Sequence, residues 1–212
     1  HSIISENTAE MITETQTSNI AFSIGGAYTS GANSIVSNCN ISYNYSQGFL
    51  KGSNISPVVG GFMHQNSSGG SKILNSVINN NLSNTLKISS FWCPGGMFLS
   101  YGNNFEVINC VISNNNTIHN SNGKKYNAPP VYALDGRPIF SNCIFWNNLG
   151  DRQGIDLRDI TFHNTNPVFK NSMLEMDMSS ITAITFIDCI INKDPIFLNK
   201  GSAPISKDTM GV

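Results

Sequence analysis

A chain of 212 residues with 40% hydrophobic content is long enough to bury one or two packed domains, and none of its apolar runs approaches the roughly 20 residues that span a bilayer. Charged residues make up only 12% and the net charge is −1, which leaves no electrostatic footprint for nucleic acid or an anionic membrane surface. The surface must instead be built from Asn, Ser, Thr and Gly, and the five cysteines, odd in number and without a CxxC pair or a nearby His, argue against a zinc site or a disulfide framework.

His1 opens the chain with neither an initiator Met nor a charged-then-apolar leader. The sequence is therefore expected to be a processed or excised piece of a longer product, with any export signal out of view. Residues 1–20 read as an N-terminal cap or an incomplete copy of the unit that follows. That unit is first complete at NCNISYN (38–44) and recurs as NSVINNN (75–81), NCVISNN (109–115) and NCIFWNN (142–148).

Aligned on Cys39, Ser76, Cys110, Cys143, Ser172 and Cys189, six copies emerge, spaced 37, 34, 33, 29 and 17 residues apart. Three positions before the reference stand Val36, Ile73, Val107, Phe140, Phe169 and Phe186; two after it stand Ile41, Ile78, Ile112, Phe145, Leu174 and Ile191. Side chains of one straight strand alternate with period 2, so those two apolar columns would fall on opposite faces unless the chain bends between them. Just before the reference stand Asn38, Asn75, Asn109, Asn142, Asn171 and Asp188. Asn tolerates left-handed backbone angles better than other non-glycine residues, so this column is the expected bend. Asn44, Asn81, Asn115, Asn148, Asp177 and Asp194, five after the reference, are expected to form the next corner. Pairs at Gly25-Gly26, Gly60-Gly61 and Gly95-Gly96 suit a tight entry into a further strand. Each copy thus reads as strand, loop, strand, Asn corner, strand and variable loop, one rung of an all-β right-handed parallel β-helix, a solenoid of about six recognisable rungs forming a single domain over 1–212. Residues 195–212 read as its end segment.

Between the copies, Cys93 in FWCPGG lies outside the reference column, and His64, His119 and SNGKKY (121–126) read as loop residues. After the fourth copy comes the one charge cluster, Asp151, Arg152, Asp156, Arg158 and Asp159, with Asp135, Arg137 and His163 nearby. β-Helix enzymes generally need clustered acids, or acids with Arg or Lys, beside the strands, so Asp156, Arg158 and Asp159 are the catalytic candidates.

GGAYTSGANSIVSNCNISYN, GGMFLSYGNNFEVINCVISNN and RPIFSNCIFWNN resemble rungs of right-handed parallel β-helix proteins of bacterial surfaces, among them polymorphic outer-membrane-protein repeats and anchored β-helix proteins of Bacteroidetes. The C-terminal DPIFLNKGSAPI is similar to the DP-L-F…GSPAI ending of that group, with Ala203-Pro204 in inverted order. The resemblance covers roughly residues 20–205. It implies the fold and a secreted or cell-surface location; lyases, hydrolases, tailspikes and adhesins share the architecture, so it does not fix an activity.

Read as chemistry, Cys39, Cys110, Cys143 and Cys189 are small packing groups in a slot that also takes Ser76 and Ser172, and the corner Asn residues form a ladder of stacked amides. Neither column offers a metal site, and no cofactor is expected. Sequons begin at Asn40, Asn44, Asn54, Asn66, Asn81 and Asn115, as an Asn- and Ser-rich composition produces. One residue after the reference, Asn40 is followed by Val77, Val111, Ile144, Met173 and Ile190, a column that period 2 turns outward. An apolar outer stripe of that kind is covered by a loop or docks a partner. Val77, Val111, Ile144 and Trp146 are the binding candidates, for a glycan or protein at the cell surface or an adjoining domain of the same precursor. The expected function is a rigid stalk or adhesin-like binding element; a polysaccharide lyase or glycoside hydrolase with its site at 151–163 is the alternative.

Overall fold

A computed structural model describes residues 1–13, 23–50, 57–65, 69–86, 93–102, 104–120, 130–152, 155–157, 160–175 and 184–195. Their regular structure is all strand, and among them no helix is long and apolar enough to cross a membrane.

Four parallel sheets take one strand from each successive repeat. The seven-stranded sheet holds, in spatial order, Ser2–Ser5, Cys39–Ser42, Val77–Asn79, Val111–Ser113, Ile144–Trp146, Met173–Leu174 and Ile190–Ile191. The six-stranded sheet holds Ile35–Ser37, Lys72–Leu74, Glu106–Ile108, Ile139–Ser141, Val168–Lys170 and Thr185–Ile187. Five strands, Ala27–Ser30, Phe62–Gln65, Met97–Gly102, Val131–Gly136 and Ile160–Thr165, make the third sheet. Four, Thr8–Thr13, Tyr45–Leu50, Leu82–Leu86 and Asn116–Asn120, make the last. One step along the sequence of repeats is one step across every sheet. Ser23–Ile24 also pairs in parallel with Val58–Val59.

The register matches the sequence alignment column for column. Ile41 pairs with Ile78, Ile78 with Ile112, Ile112 with Phe145, Phe145 with Leu174 and Leu174 with Ile191. Val36, Ile73, Val107, Phe140, Phe169 and Phe186 follow one another in the same way. A further half-copy precedes them: Ser2 pairs with Cys39 and Ile4 with Ile41, which places HSIISEN directly on NCNISYN.

The expected bend has left-handed backbone angles throughout, with φ of 54°, 48°, 53°, 54°, 47° and 52° at Asn38, Asn75, Asn109, Asn142, Asn171 and Asp188. The second corner falls one residue earlier than expected. Its left-handed residues are Glu6, Tyr43, Asn80, Asn114 and Asn147, with Asn192, two before Asp194, in the last copy; Asn44, Asn81, Asn115 and Asn148 turn their amides inward instead. In the copies that read NN the first Asn bends the backbone and the second bonds it, while Glu6 and Tyr43 make the same bend ahead of Asn7 and Asn44.

Both apolar columns meet in one core. Ile73, Val107, Phe140 and Phe169 are wholly buried, as are Ile41, Ile78, Ile112, Phe145 and Leu174, while Ile4, Val36, Phe186 and Ile191 at the two ends of the stack are partly exposed. Phe140 stacks on Phe169 at 4.7 Å and 12°, and Phe145 meets Phe140 edge-on at 5.3 Å and 82°. On the opposite face of the five-stranded sheet, Met63, Phe98, Tyr132 and Leu134 form a second apolar cluster with Val59.

The glycine pairs are required by close approach. A Cβ on Gly95 would lie 1.8 Å from the carbonyl oxygen of Asn116, and one on Gly61 would lie 2.4 Å from that of Gly96 and 2.9 Å from Nδ2 of Asn81. Each pair lets a strand pass against the neighbouring copy and against the buried amides.

Candidate functional site

The column one residue after the reference is built as an outer row. Val77 pairs with Val111, Val111 with Ile144, Ile144 with Met173 and Met173 with Ile190. Each flanks a wholly or largely buried residue on its own strand, and each is itself half-buried or, at Ile190, exposed. The alternation therefore points the column away from the core. Ile3 of the half-copy heads the row through its pairing with Asn40 and is 74% exposed. Its sequence signal was present in HSIISEN, where Asn7 falls on Asn44. Trp146 lies two residues after Ile144 on the same strand, half-buried, opposite Ser113, which in turn lies opposite Asn79. The fold thus brings Val77, Val111, Ile144 and Trp146 onto one face. Beside them, Oδ1 of Asn79 is buried with no hydrogen-bond partner.

Behind this face runs the amide ladder. Nδ2 of Asn44 donates to Oδ1 of Asn81 at 3.0 Å, Nδ2 of Asn81 to Oδ1 of Asn115 at 3.0 Å, and Nδ2 of Asn115 to Oδ1 of Asn148 at 2.9 Å. The other amide proton reaches back one copy: Asn81 donates to the carbonyl of Ile41, Asn115 to that of Ile78 and Asn148 to that of Ile112. Each Oδ1 also accepts the backbone N–H of the preceding ladder Asn, at 3.1 Å for Asn44 onto Asn81. Asn81 and Asn115 thereby use both donors and two acceptor sites inside the protein. Three sequons coincide with this ladder, at Asn44, Asn81 and Asn115, so their amide nitrogens are committed to it; Asn40 is exposed.

The reference slot also follows a donor rule. Ser76 and Ser172 donate to the carbonyls of Leu74 and Lys170, two residues back, at 2.7 and 2.8 Å. Sγ of Cys110 and Cys143 does the same toward Ile108 and Ser141 at 3.2 and 3.3 Å. Cys and Ser interchange because both are small and both carry a proton for the carbonyl at the bend. Burial pushes the thiols of Cys110 and Cys143 up to about 11 and about 12. No disulfide joins the five cysteines; Cys93, Cys110 and Cys143 are buried, while Cys39 and Cys189 in the outer copies are only half-buried.

The charge cluster is placed only in part. Gly150–Arg152 and Ile155–Leu157 form an antiparallel hairpin in which Asp151 lies opposite Asp156, where earlier copies run a parallel strand. Of the three catalytic candidates, Arg158 and Asp159 lie outside the described residues, and Asp156 is placed by its pairing alone. Asp177 of the corner column and the sequons at Asn54 and Asn66 also lie outside them. Among the described residues, no group of three or more His, Cys, Asp or Glu could hold a metal ion.

His64 is not a loop residue. It sits in the strand Phe62–Gln65, is wholly buried, and shares an inward column with Thr29, Leu99 and Ala133. Strand periodicity around GGFMHQ was the signal for it, outweighed by the polarity of the residue itself.

Compared with families of known proteins, with curated proteins and with solved structures, the chain matches none.

Proposed function

We propose that the chain is a right-handed parallel β-helix of the bacterial surface type, working outside the cell as a rigid stalk or adhesin-like binding element. In-register parallel sheets that advance one copy at a time support the coil, and the resemblance of the repeats supports its class and location. The observation that carries the binding role is the outward row of Val77, Val111, Ile144 and Met173 beside Trp146, an apolar strip running across successive strands of one sheet. An elongated partner matches its shape: a glycan chain laid on Trp146 and the aliphatic row, or an extended protein surface.

The test is a glycan array together with sedimentation of the purified chain, comparing wild type with Ile144→Lys and Trp146→Ala. Binding or self-association that both substitutions abolish, with the unfolding midpoint kept, supports the reading. If neither substitution changes what is bound, the strip is not the site. Turnover of a polysaccharide that is lost in Asp156→Asn would replace this reading with the lyase or hydrolase alternative.

A further inference from the structure

The interior of the second repeat holds a base that, among the described residues, has no acid beside it to neutralise a proton. Nδ1 of His64 lies 2.8 Å from Oγ1 of Thr29, the ring stands 4.6 Å from that of Phe105, and Nε2 is buried without a partner. Its in-register neighbours are Thr29 on one side and Leu99 on the other. The charged residues nearest in sequence to Phe105 and Ile73, Glu106 and Lys72, pair with each other at 2.6 Å and are partly exposed. Tyr28, beside Thr29, bonds Gln65 on the exposed side of the strand. Titratable groups in the core itself are the thiols of Cys110 and Cys143, which are not counter-charges. Among the described residues Glu175 is the one buried carboxylate, and it takes the backbone N–H of Asn147 at 2.7 Å, three repeats further along.

We propose that His64 is an acid trigger: protonation of its imidazole opens the repeats that enclose it, over residues 23–115, before those over 139–174. A neutral ring fits this column, where Leu99 and Ala133 sit in the following copies. An imidazolium brings a charge and a second N–H into a site where, among the described residues, Thr29 is the side chain bonded to the ring. Burial holds the ring below the ordinary histidine value of 6.5. The unfolded chain therefore binds a proton that the folded chain refuses, and stability, full above that pH, falls as pH drops below it. In a stacked array each repeat contacts only its neighbours, so the loss is local at first.

Urea unfolding of the full chain between pH 7.5 and 5.0 tests this with wild type and His64→Leu, the residue that Leu99 already supplies. The wild-type unfolding constant is expected to rise by up to about tenfold per pH unit below 6.5, relative to the variant. Equal pH dependence in the two chains would overturn the proposal. Should His64→Leu fail to fold, nitrogen-15 shifts of the wild-type ring decide: a ring that stays neutral in the folded chain at pH 5.5 supports the trigger, and an imidazolium in an intact fold contradicts it. Hydrogen exchange at pH 5.5, corrected for intrinsic rates, is expected to show faster opening over 69–86 than over 139–150. The reverse order would also count against it.

Discussion

Asn81 shows why the buried ladder takes an amide and no isostere. Its nitrogen faces two acceptors, the carbonyl of Ile41 and Oδ1 of Asn115, while its oxygen faces two donors from Asn44. Asn81→Asp keeps the shape but turns an acceptor toward both acceptors. Two buried groups lose their donor at about 1–3 kcal/mol each, so a loss of about 2–6 kcal/mol is expected at pH 7 in urea unfolding. The buried carboxyl has its pKa raised, so the penalty should shrink as the pH is lowered and the acid regains a proton to donate. A variant as stable as wild type at pH 7 would mean that the ladder contributes little. The thiols give a second check. With burial pushing Cys110 and Cys143 up to about 11 and about 12, native labelling at pH 8 should modify Cys39 and Cys189 well before them. Rapid labelling of Cys143 in the native chain would contradict its place in the core.

Val111 and Ile112 are adjacent on one strand and do opposite jobs. Ile112 is wholly buried between Ile78 and Phe145, whereas Val111 lies on the half-buried outer row. Ile112→Ala is expected to cost about 2–5 kcal/mol, and Val111→Ala under about 1 kcal/mol, measured by urea unfolding. Similar costs at the two positions would mean that the strand faces are misassigned. Gly61→Ala should destabilise strongly, because its new methyl would meet the carbonyl of Gly96 and the ladder amide of Asn81. The alternation of Val111 and Ile112 and the bend at Asn109 were legible in the sequence, since each is a local property repeated in register. The second corner was displaced by one because the inward space takes the Asn that bonds the ladder and leaves the bend to the residue before it, even where that residue is Tyr43 and turn propensity favours the Asn. The opening segment read as a cap or an incomplete copy, and the pairing of Ser2–Ser5 with Cys39–Ser42 lays it on the first full copy, with Ser2 in the slot that Ser76 and Ser172 take later.

In each of four parallel sheets a strand pairs with those of the copies before and after it. The outer copies carry the partly exposed ends of the core, at Ile4 and Val36 on one side and Phe186 and Ile191 on the other. The candidate strip shares this geometry: Val77, Val111 and Ile144 align because the sheet aligns them. The hairpin at 150–157 is where the pattern breaks, and periodicity says nothing about a segment that does not repeat, so the role of Asp156 was not readable from the columns. The central claim, copies stacked in one direction and in register, has a direct ruler. Spin labels on non-cysteine handles at Asn40 and, in turn, at Ile144, Met173 and Ile190 lie three, four and five strands apart in the seven-stranded sheet. At ~4.8 Å per strand, backbone separations of roughly 14, 19 and 24 Å are expected, rising by one strand spacing at each step. Distances that fail to rise in that order would contradict the stack.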